Sequence, residues 1–431
     1  MGIKGLVALF ESLGGLSKHM TFADLPPGTK ICIDTSGFIY CSLMKNSQNH
    51  VTGILNLVTM LLKYKHLPIF VFDGKPPKAK QFVTDERKRA RDKAKERLDD
   101  LAAIISKFET DMLDVGGTHI ESGEPLPTDY MFPPPQDGYK TPPESMEAAG
   151  IDCLAPFPGD CALLNLEELQ QSLEKERKKS IGLQLQQIQE IKQLLDMFGI
   201  PYIHTDKEAD VICSKLVMHG FADYCLGNDM DMLVYGCPRV IRNMSFRDDS
   251  FTLYDLDTIL SNLRLTHAEF IDMCILMGCD YTPRLLGIKP MLAYELITQY
   301  NTIENIISNI EAINVELDLI TPGKHIKVTP VFDYITTRTV YAAHDVTIDT
   351  ISSLVCMSHS NLYGTCLLIV QNRLYYNKLL TFCKKNCHGL NTNLITKKIE
   401  TILDSVVPPD TPQINTQLPA IHPKSRRKLN F

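Results

Sequence analysis

The sequence predicts an α/β fold: a mostly parallel central sheet flanked by helices, with a helix-turn-helix arrangement beyond it. Three observations predict it. Short, very apolar runs at 29–33, 68–72 and 221–226 alternate with segments of helical periodicity, the pattern of parallel strands joined by crossover helices. Each of these runs ends on or beside a carboxylate, at Asp34, Asp73 and Asp229. Such residues mark the carboxyl edge of an open sheet, where ligands bind. Finally, Thr266 and Glu269 precede an apolar helix that stops at Gly278, and a turn with Pro283 and Gly287 leads into a second helix from Pro290.

Composition bounds the possibilities. A chain of 431 residues with 44% hydrophobic content buries a substantial core in one large or two modest domains. No apolar run approaches the ~20 residues that span a bilayer, and the N-terminus lacks a secretory pattern. Of the 13 cysteines most sit singly in apolar surroundings, as Cys32, Cys213 and Cys274 do, which fits a reduced intracellular protein. Charge is divided sharply. Residues 111–170 hold 12 Asp/Glu and a single Lys, so the remainder of a chain with net charge -7 carries about +4. From Lys75 to Arg97 there are 10 Lys/Arg against 4 Asp/Glu, a basic stretch beside a predicted sheet edge that suggests a polyanionic partner.

In chain order, the apolar positions Leu6, Leu9, Phe10 and Leu13 predict a helix stopped by Gly14-Gly15. The first strand, 29–33, leads through Asp34 into a helix containing Phe38, Tyr40 and Leu43. A second helix over 52–62 precedes the strand at 68–72. Helix propensity returns over 84–108, its basic first half without an apolar face. Nine prolines lie between Pro125 and Pro158, and periodicity is lost from 111 to 160, which predicts an inserted loop. A helix over 166–198, a strand at 201–204, and a helix to about His219 capped by a Thr205/Glu208 box follow. Residues 239–246 and 251–254 read as a hairpin. Beyond 310 the signal weakens; residues 365–370 read as strand. Cys383, Cys387 and His388 have metal-ligand spacing but no second pair at a finger-like distance.

The chemistry lies in the acids. Asp34, Asp73, Glu208, Asp210, Asp229, Asp231 and Asp280 all follow strands or open or close helices. One such residue alone is ordinarily a helix cap. Seven converging on one edge would repel each other and resist ionisation unless hard divalent cations were bound, and oxygen ligands suit Mg²⁺ or Mn²⁺. Two such ions ~4 Å apart activate water and stabilise a leaving phosphodiester oxygen. No Walker A sequence is present, so nucleotide hydrolysis is not indicated.

With those residues in view, the chain resembles the flap endonuclease branch of the Rad2/XPG family of structure-specific 5′ nucleases. MGIKGL at 1–6 resembles the family's N-terminal signature. Asp34 in CIDTSGFIY and Asp73 in VFDGKPP match its first metal-site aspartates. Glu208 and Asp210 stand where the family has Glu-Ala-Glu, and NDMD and MGCDY supply Asp229, Asp231 and Asp280. The resemblance covers roughly 1–108 and 181–305. It implies the PIN-like 5′ nuclease fold, in which the helix-turn-helix arrangement is a helix-hairpin-helix subdomain, and a site holding two Mg²⁺, with Mn²⁺ as a substitute. It also implies hydrolysis near junctions of branched or flapped DNA, leaving a 5′-phosphate and a 3′-hydroxyl. Lys80 and Arg87 fall where the family has its catalytic basic pair. Tyr40 matches the residue stacking near the scissile nucleotide, and Gly2 and Lys4 belong to the substrate-facing N-terminus. Lys88 and Arg91 extend the basic segment along the duplex. The hairpin's Gly-x-Gly is Gly287-Ile288-Lys289 here, which leaves Lys289 to meet a phosphate.

The expected organisation is an N-terminal nuclease region at 1–108, an acidic Pro-rich insertion and start of helix at 109–180, an internal nuclease region with the hairpin at 181–305, and a divergent C-terminal region with a basic tail at 306–431. The insertion is atypical of compact family members and is similar to the spacer of the larger XPG enzymes, though much shorter. The resemblance implies an intracellular protein of the nucleus, or of the host nucleus or cytoplasm if this divergent, shortened relative is a large-DNA-virus member. No PCNA-binding box is seen near the C-terminus. Two other readings stay open: a relative with exonuclease or junction-resolving preference, and a non-catalytic scaffold on the same fold.

Overall fold

The computed structural model describes residues 2–45, 50–116, 158–320, 322–323, 325–342 and 362–407. They fall into two units. The first comprises 1–85 with 182–431, and the second 86–181. Most of the predicted insertion, 117–157, lies outside the described residues, as does the basic tail.

The first unit is built on one seven-stranded sheet: β1 (Lys18–Thr21), β2 (Lys30–Asp34), β3 (Leu67–Phe72), β4 (Tyr202–His204), β5 (Tyr224–Leu226), β6 (Arg239–Arg242) and β7 (Ser250–Asp255). Its spatial order is β1-β7-β6-β5-β2-β3-β4. The strands β6, β5, β2, β3 and β4 run parallel; β7 returns antiparallel to β6, and β1 antiparallel to β7. The parallel strands are short and almost wholly apolar because helices cover both faces. Ile31, Cys32 and Ile33 are fully buried, as are Ile69, Phe70 and Val71. Strand order reverses between β2 and β5: β3 and β4 extend to one side, β6 and β7 to the other. That switch point opens a crevice at the carboxyl ends of neighbouring strands.

The helices follow the predicted periodicity with shifted bounds. Leu6–Leu13 buries Leu6, Leu9 and Phe10 and ends at Gly14. Helix Thr35–Lys45 starts directly from Asp34, and His50–Lys63 is the crossover to β3. Thr266 and Glu269 form the expected capping box of helix His267–Met277, and Pro290 opens helix Pro290–Tyr300 at its first position.

Four expectations are corrected. The basic helix runs from Gln81 to Gly116, and a further helix starts at Pro158, so the flanks of the acidic segment are helical. The single helix expected over 166–198 is two, Pro158–Ser180 and Leu185–Phe198, divided where Gly182 interrupts the pattern. The Thr205/Glu208 box does not form: the Thr205 hydroxyl accepts the Lys207 N–H, and the Glu208 side chain is engaged elsewhere. Residues 365–370 are helix, not strand, within 362–371. Leu362, Cys366 and Ile369 are buried there at helical spacing, which their β-branched neighbours had masked.

The C-terminal region is part of the first unit. Helix Thr392–Val406 packs on His50–Lys63, and the Thr52 hydroxyl donates to the His388 carbonyl at 3.0 Å. Cys383 and Cys387 close a helix end there, Cys387 N–H donating to the Cys383 carbonyl at 2.8 Å. The cysteines of the sheet do not stay apart in space. Cys32 and Cys225 are register partners on β2 and β5, Cys213 lies on the helix over them, and the three thiols converge within 4.8 Å. In the second unit, Arg177 grips Glu174 through two 2.6 Å hydrogen bonds one helical turn apart. No described helix is long and apolar enough to cross a membrane.

Candidate active site

Four parallel strands deliver six of the seven acids to the crevice. Asp34 ends β2 and accepts the Gly37 N–H at 3.1 Å. The side chain folds back so closely that a Cβ on residue 37 would stand 2.2 Å from Asp34 Oδ2. Asp73 follows β3 and accepts the Ala209 N–H at 2.6 Å, at the start of helix Ala209–Met218. A carboxylate there meets an unsatisfied backbone donor and the positive end of the helix. Gly74 N–H donates to the Lys207 carbonyl, so the end of β3 and the loop after β4 are tied together. Glu208 is that helix's N-cap and Asp210 lies in its first turn. Asp229 follows β5 and accepts the Asp231 N–H at 3.1 Å. Asp280 comes from elsewhere, the turn after helix His267–Met277. Carboxylate oxygens of Asp229, Asp231 and Asp280 lie within 4.8 Å of one another.

Such crowding costs energy, and its signs are visible. Burial, then the charges of Asp73 and Asp229, push Asp34 up to about 7. Burial and repulsion from Asp34, Asp229 and Asp73 raise Asp210 well above the carboxylate range. Asp231 is raised likewise by burial, Asp229 and Asp280. Asp210 Oδ1 and both oxygens of Asp231 are buried without any hydrogen-bond donor. Native interiors rarely leave carboxylate oxygens so. An all-oxygen set with orphaned, mutually repelling carboxylates fits a hard divalent cation.

Lys80 is the cation the protein itself supplies. It ends the 3₁₀ turn Lys78–Lys80, and its Nζ donates to Glu208 at 2.6 Å and lies 3.2 Å from Asp280. It is buried, and these carboxylates hold its pKa above the ordinary lysine range against the effect of burial. Lys80 therefore lies among the acids.

Two family models match this chain: the XPG N-terminal domain over 1–94 and the XPG I-region over 199–280. Those two segments hold all seven acids. Over those segments the chain is similar to the Rad2/XPG family. Among curated relatives, flap endonuclease 1 of Entamoeba histolytica is 28% identical over 72% of this chain and 70% of its own length. Flap endonuclease 1 of Tetrahymena thermophila is 25% identical over 70% of this chain, which spans only 62% of that relative. "Probable RAD2-like endonuclease 076L" of Invertebrate iridescent virus 3 is 28% identical over 71% of this chain and 81% of its own. The fold matches the solved catalytic core of Rad2 in complex with DNA substrate, with a TM-score of 0.57 at 18% identity over 93% of this chain and all of the other.

Other residues singled out on the Rad2/XPG pattern are placed as follows. Gly2 lies against the acids: a Cβ on it would stand 1.8 Å from Asp229 Oδ1 and 2.7 Å from Asp231 Oδ1. Lys4 anchors this segment through its N–H to the Gly278 carbonyl at 3.1 Å, with its side chain exposed. Tyr40 is half-buried on the helix that Asp34 begins, and Lys289 is exposed as the N-cap of helix Pro290–Tyr300. Arg87, Lys88 and Arg91 lie on helix Gln81–Gly116 in the second unit, Lys88 exposed and the other two half-buried.

Sequence reasoning missed two neighbours of the site. Arg242 on β6 donates twice to the Asn228 carbonyl, at 3.1 and 2.8 Å, and so clamps the loop that carries Asp229. A basic residue at a strand end 14 residues beyond Asn228 gives no local signal. Tyr281 donates its hydroxyl to Glu208 Oε2 at 2.7 Å. It is the last letter of the quoted MGCDY motif, and its position next to Asp280 was the available clue.

Proposed function

We propose that this chain is a structure-specific, divalent-metal-dependent nuclease that hydrolyses phosphodiester bonds near junctions of branched DNA, as a 5′ flap endonuclease with 5′-3′ exonuclease activity. The observation that carries the reading is the convergence of seven carboxylates with orphaned buried oxygens at the switch point of the sheet. The curated relatives that it resembles are named as flap endonucleases, and Rad2 cores of the same fold were solved with DNA substrate.

Asp73 and Asp210, backed by Asp34 and Glu208, would hold one Mg²⁺ or Mn²⁺; Asp229 and Asp231, with Asp280, a second. Bound there, the ions would supply an activated water and neutralise the leaving oxygen. The chain's own residues do the rest. The Asp73–Ala209 hydrogen bond fixes one acid to the rigid start of a helix, so the constellation is set before substrate arrives. Lys80 would offset charge growing on the reacting phosphate, with Arg87 as its partner. Gly2, beside Asp229, would lie near the substrate phosphates. Lys4, Tyr40, Lys88, Arg91 and Lys289 would meet the DNA backbone or a stacked base, positioning without base readout. Such an enzyme works inside the cell, where DNA is, in the nucleus or in an infected host's nucleus or cytoplasm.

The test is cleavage of matched 5′-flap, nicked, gapped and four-way DNAs with Mg²⁺ and with EDTA. Mg²⁺-dependent incision next to the flap junction is expected. Binding without incision of any of the four in Mg²⁺ or Mn²⁺ would favour the scaffold reading instead.

A further inference from the structure

Glu208 is held on both oxygens. Lys80 takes Oε1, and the Tyr281 hydroxyl donates to Oε2 at 2.7 Å. A carboxylate offers about four lone-pair sites, so two donors fix its plane and leave sites facing the other acids. The Tyr281 hydroxyl is in turn hydrogen-bonded to that of Tyr235. A phenol has one proton, and that of Tyr281 is spent on Glu208, so Tyr235 donates to Tyr281. Tyr235 closes the short helix Asp231–Val234, its N–H on the Asp231 carbonyl at 2.9 Å. The chain Tyr235–Tyr281–Glu208 thereby joins the segments that carry Asp231, Asp280 and Glu208.

The ring of Tyr281 is also fixed. It stands edge-on to Tyr341 at a centroid distance of 5.3 Å and 86°, and Tyr341 packs on Tyr235 at 5.1 Å. Both Tyr235 and Tyr341 are almost fully buried, at 3% and 2% exposure. Lys80 Nζ lies 5.7 Å from the Tyr281 ring centre, so one side chain touches both Glu208 and its counter-ion. Tyr341 belongs to helix Tyr334–Ala342, beyond the last residue matched by either family model. That helix is anchored by Arg338, which reaches Asp272 at 2.8 and 2.7 Å and Glu304 at 2.8 Å.

We infer that Tyr281 is a positioning residue of the metal site: its hydroxyl, oriented by Tyr235 and by the Tyr341 ring, aims Glu208 at the bound cation. The inference rests on the metal-site reading above. Hydrogen bonds of this outer kind set ligand geometry, and their loss costs about 10-fold or more in metal affinity.

The test is Mn²⁺ binding by the purified full chain, followed by calorimetry and by the spin resonance of free Mn²⁺, with thermal melts to establish folding. Tyr281→Phe keeps the ring and removes only the hydroxyl. It should weaken Mn²⁺ binding by about 10-fold and move the Mn²⁺ midpoint of single-turnover flap cleavage by the same factor, with the saturated rate changed far less. Tyr235→Phe should shift both in the same direction by about 3-fold, since Tyr281 then keeps its bond but loses its own donor. Tyr294→Phe is the control: it deletes a comparable hydroxyl bond, to the Leu263 carbonyl, on helix Pro290–Tyr300. Wild-type Mn²⁺ affinity in Tyr281→Phe overturns the inference, as would equal shifts in Tyr281→Phe and Tyr294→Phe. If Tyr281→Phe does not fold, Tyr235→Phe decides. A wild-type chain that binds Mn²⁺ yet cuts no DNA refutes the nuclease reading alone, because the binding comparison still stands. A wild-type chain that binds no Mn²⁺ removes both.

Discussion

The carboxylate crevice has two unlike ends. At one, Glu208 and Asp280 share the buried cation of Lys80, and Glu208 is further fixed by Tyr281. At the other, Asp34, Asp73 and Asp210 are held by backbone N–H groups or by nothing, and Asp34 and Asp210 are pushed toward the neutral acid. The first end is neutralised by the polypeptide. The second keeps its mutual repulsion, which a bound cation would relieve. In the proposed mechanism the two ends divide the work: a fixed lysine would need no reorganisation as charge develops on a phosphate, whereas the open acids would act through what they bind.

Removing the unneutralised end should have the largest effect. Asp73→Ala, or Asp229→Ala at the border between the ends, should lower single-turnover cleavage by ~10³-fold or more, because metal stabilisation is worth several kcal/mol. The fold and DNA binding in Ca²⁺ should survive. Near-wild-type cleavage by either variant would dissolve the comparison, since the open acids would then be ornamental.

Next comes the neutralised end. Lys80→Ala should cut the single-turnover rate by ~10²-fold with DNA affinity nearly unchanged, as befits a contact made in the transition state. Lys95→Ala, an exposed residue of the basic helix, should instead weaken binding slightly and lower the salt dependence by about one unit. Similar losses of binding in both variants, with cleavage rates intact, would return Lys80 to the status of a surface charge.

The smallest effect sharpens the contrast through pH. Asp34, raised to about 7, keeps its proton in the folded chain to a pH at which the unfolded chain has long released it near 4. The folded state then binds more protons, so stability falls as pH rises from about 4 to 7. Asp210 and Asp231 act in the same direction. A divalent ion competes with those protons and is favoured once they leave. The melting temperature gained from Mg²⁺ should therefore be ~2–4 °C larger at pH 8 than at pH 5.5. A gain independent of pH would mean that the acids are not the site of binding.

What could be read in the sequence was whatever local order controls. Asp34, Asp73 and Asp229 were legible because a strand must end near the residue that breaks its apolar run, and Thr266 with Glu269 because a capping box is complete within four residues. The Thr205/Glu208 box has the same letters but failed. A lysine 128 residues earlier in the chain competes for Glu208, and no window of sequence contains both. The meeting of Cys32, Cys213 and Cys225 is equally non-local, set by which strands become neighbours. Helix 362–371 was misread because β-branched residues outweighed a three-residue buried stripe. Arg87's part was taken from family pattern, and nothing local to it distinguishes it from the lysines and arginines around it.

The close fit of glycine at the crevice has a consequence for how this chain can vary. Gly37 and Gly74 have ordinary backbone angles, so any residue could adopt their conformation; what forbids a side chain is matter already there, Asp34 Oδ2 at 2.2 Å and the Thr205 carbonyl at 2.4 Å. Gly220 is the opposite case, with φ +74 and nothing within 4 Å of an added Cβ. There asparagine, which tolerates that region, is an open substitution. A lineage can thus exchange Gly220 in one step. To change Gly37 it must also displace the Asp34 carboxylate, so the two positions vary together. Drift in this protein is bounded at the crevice less by backbone geometry than by space its neighbours already fill.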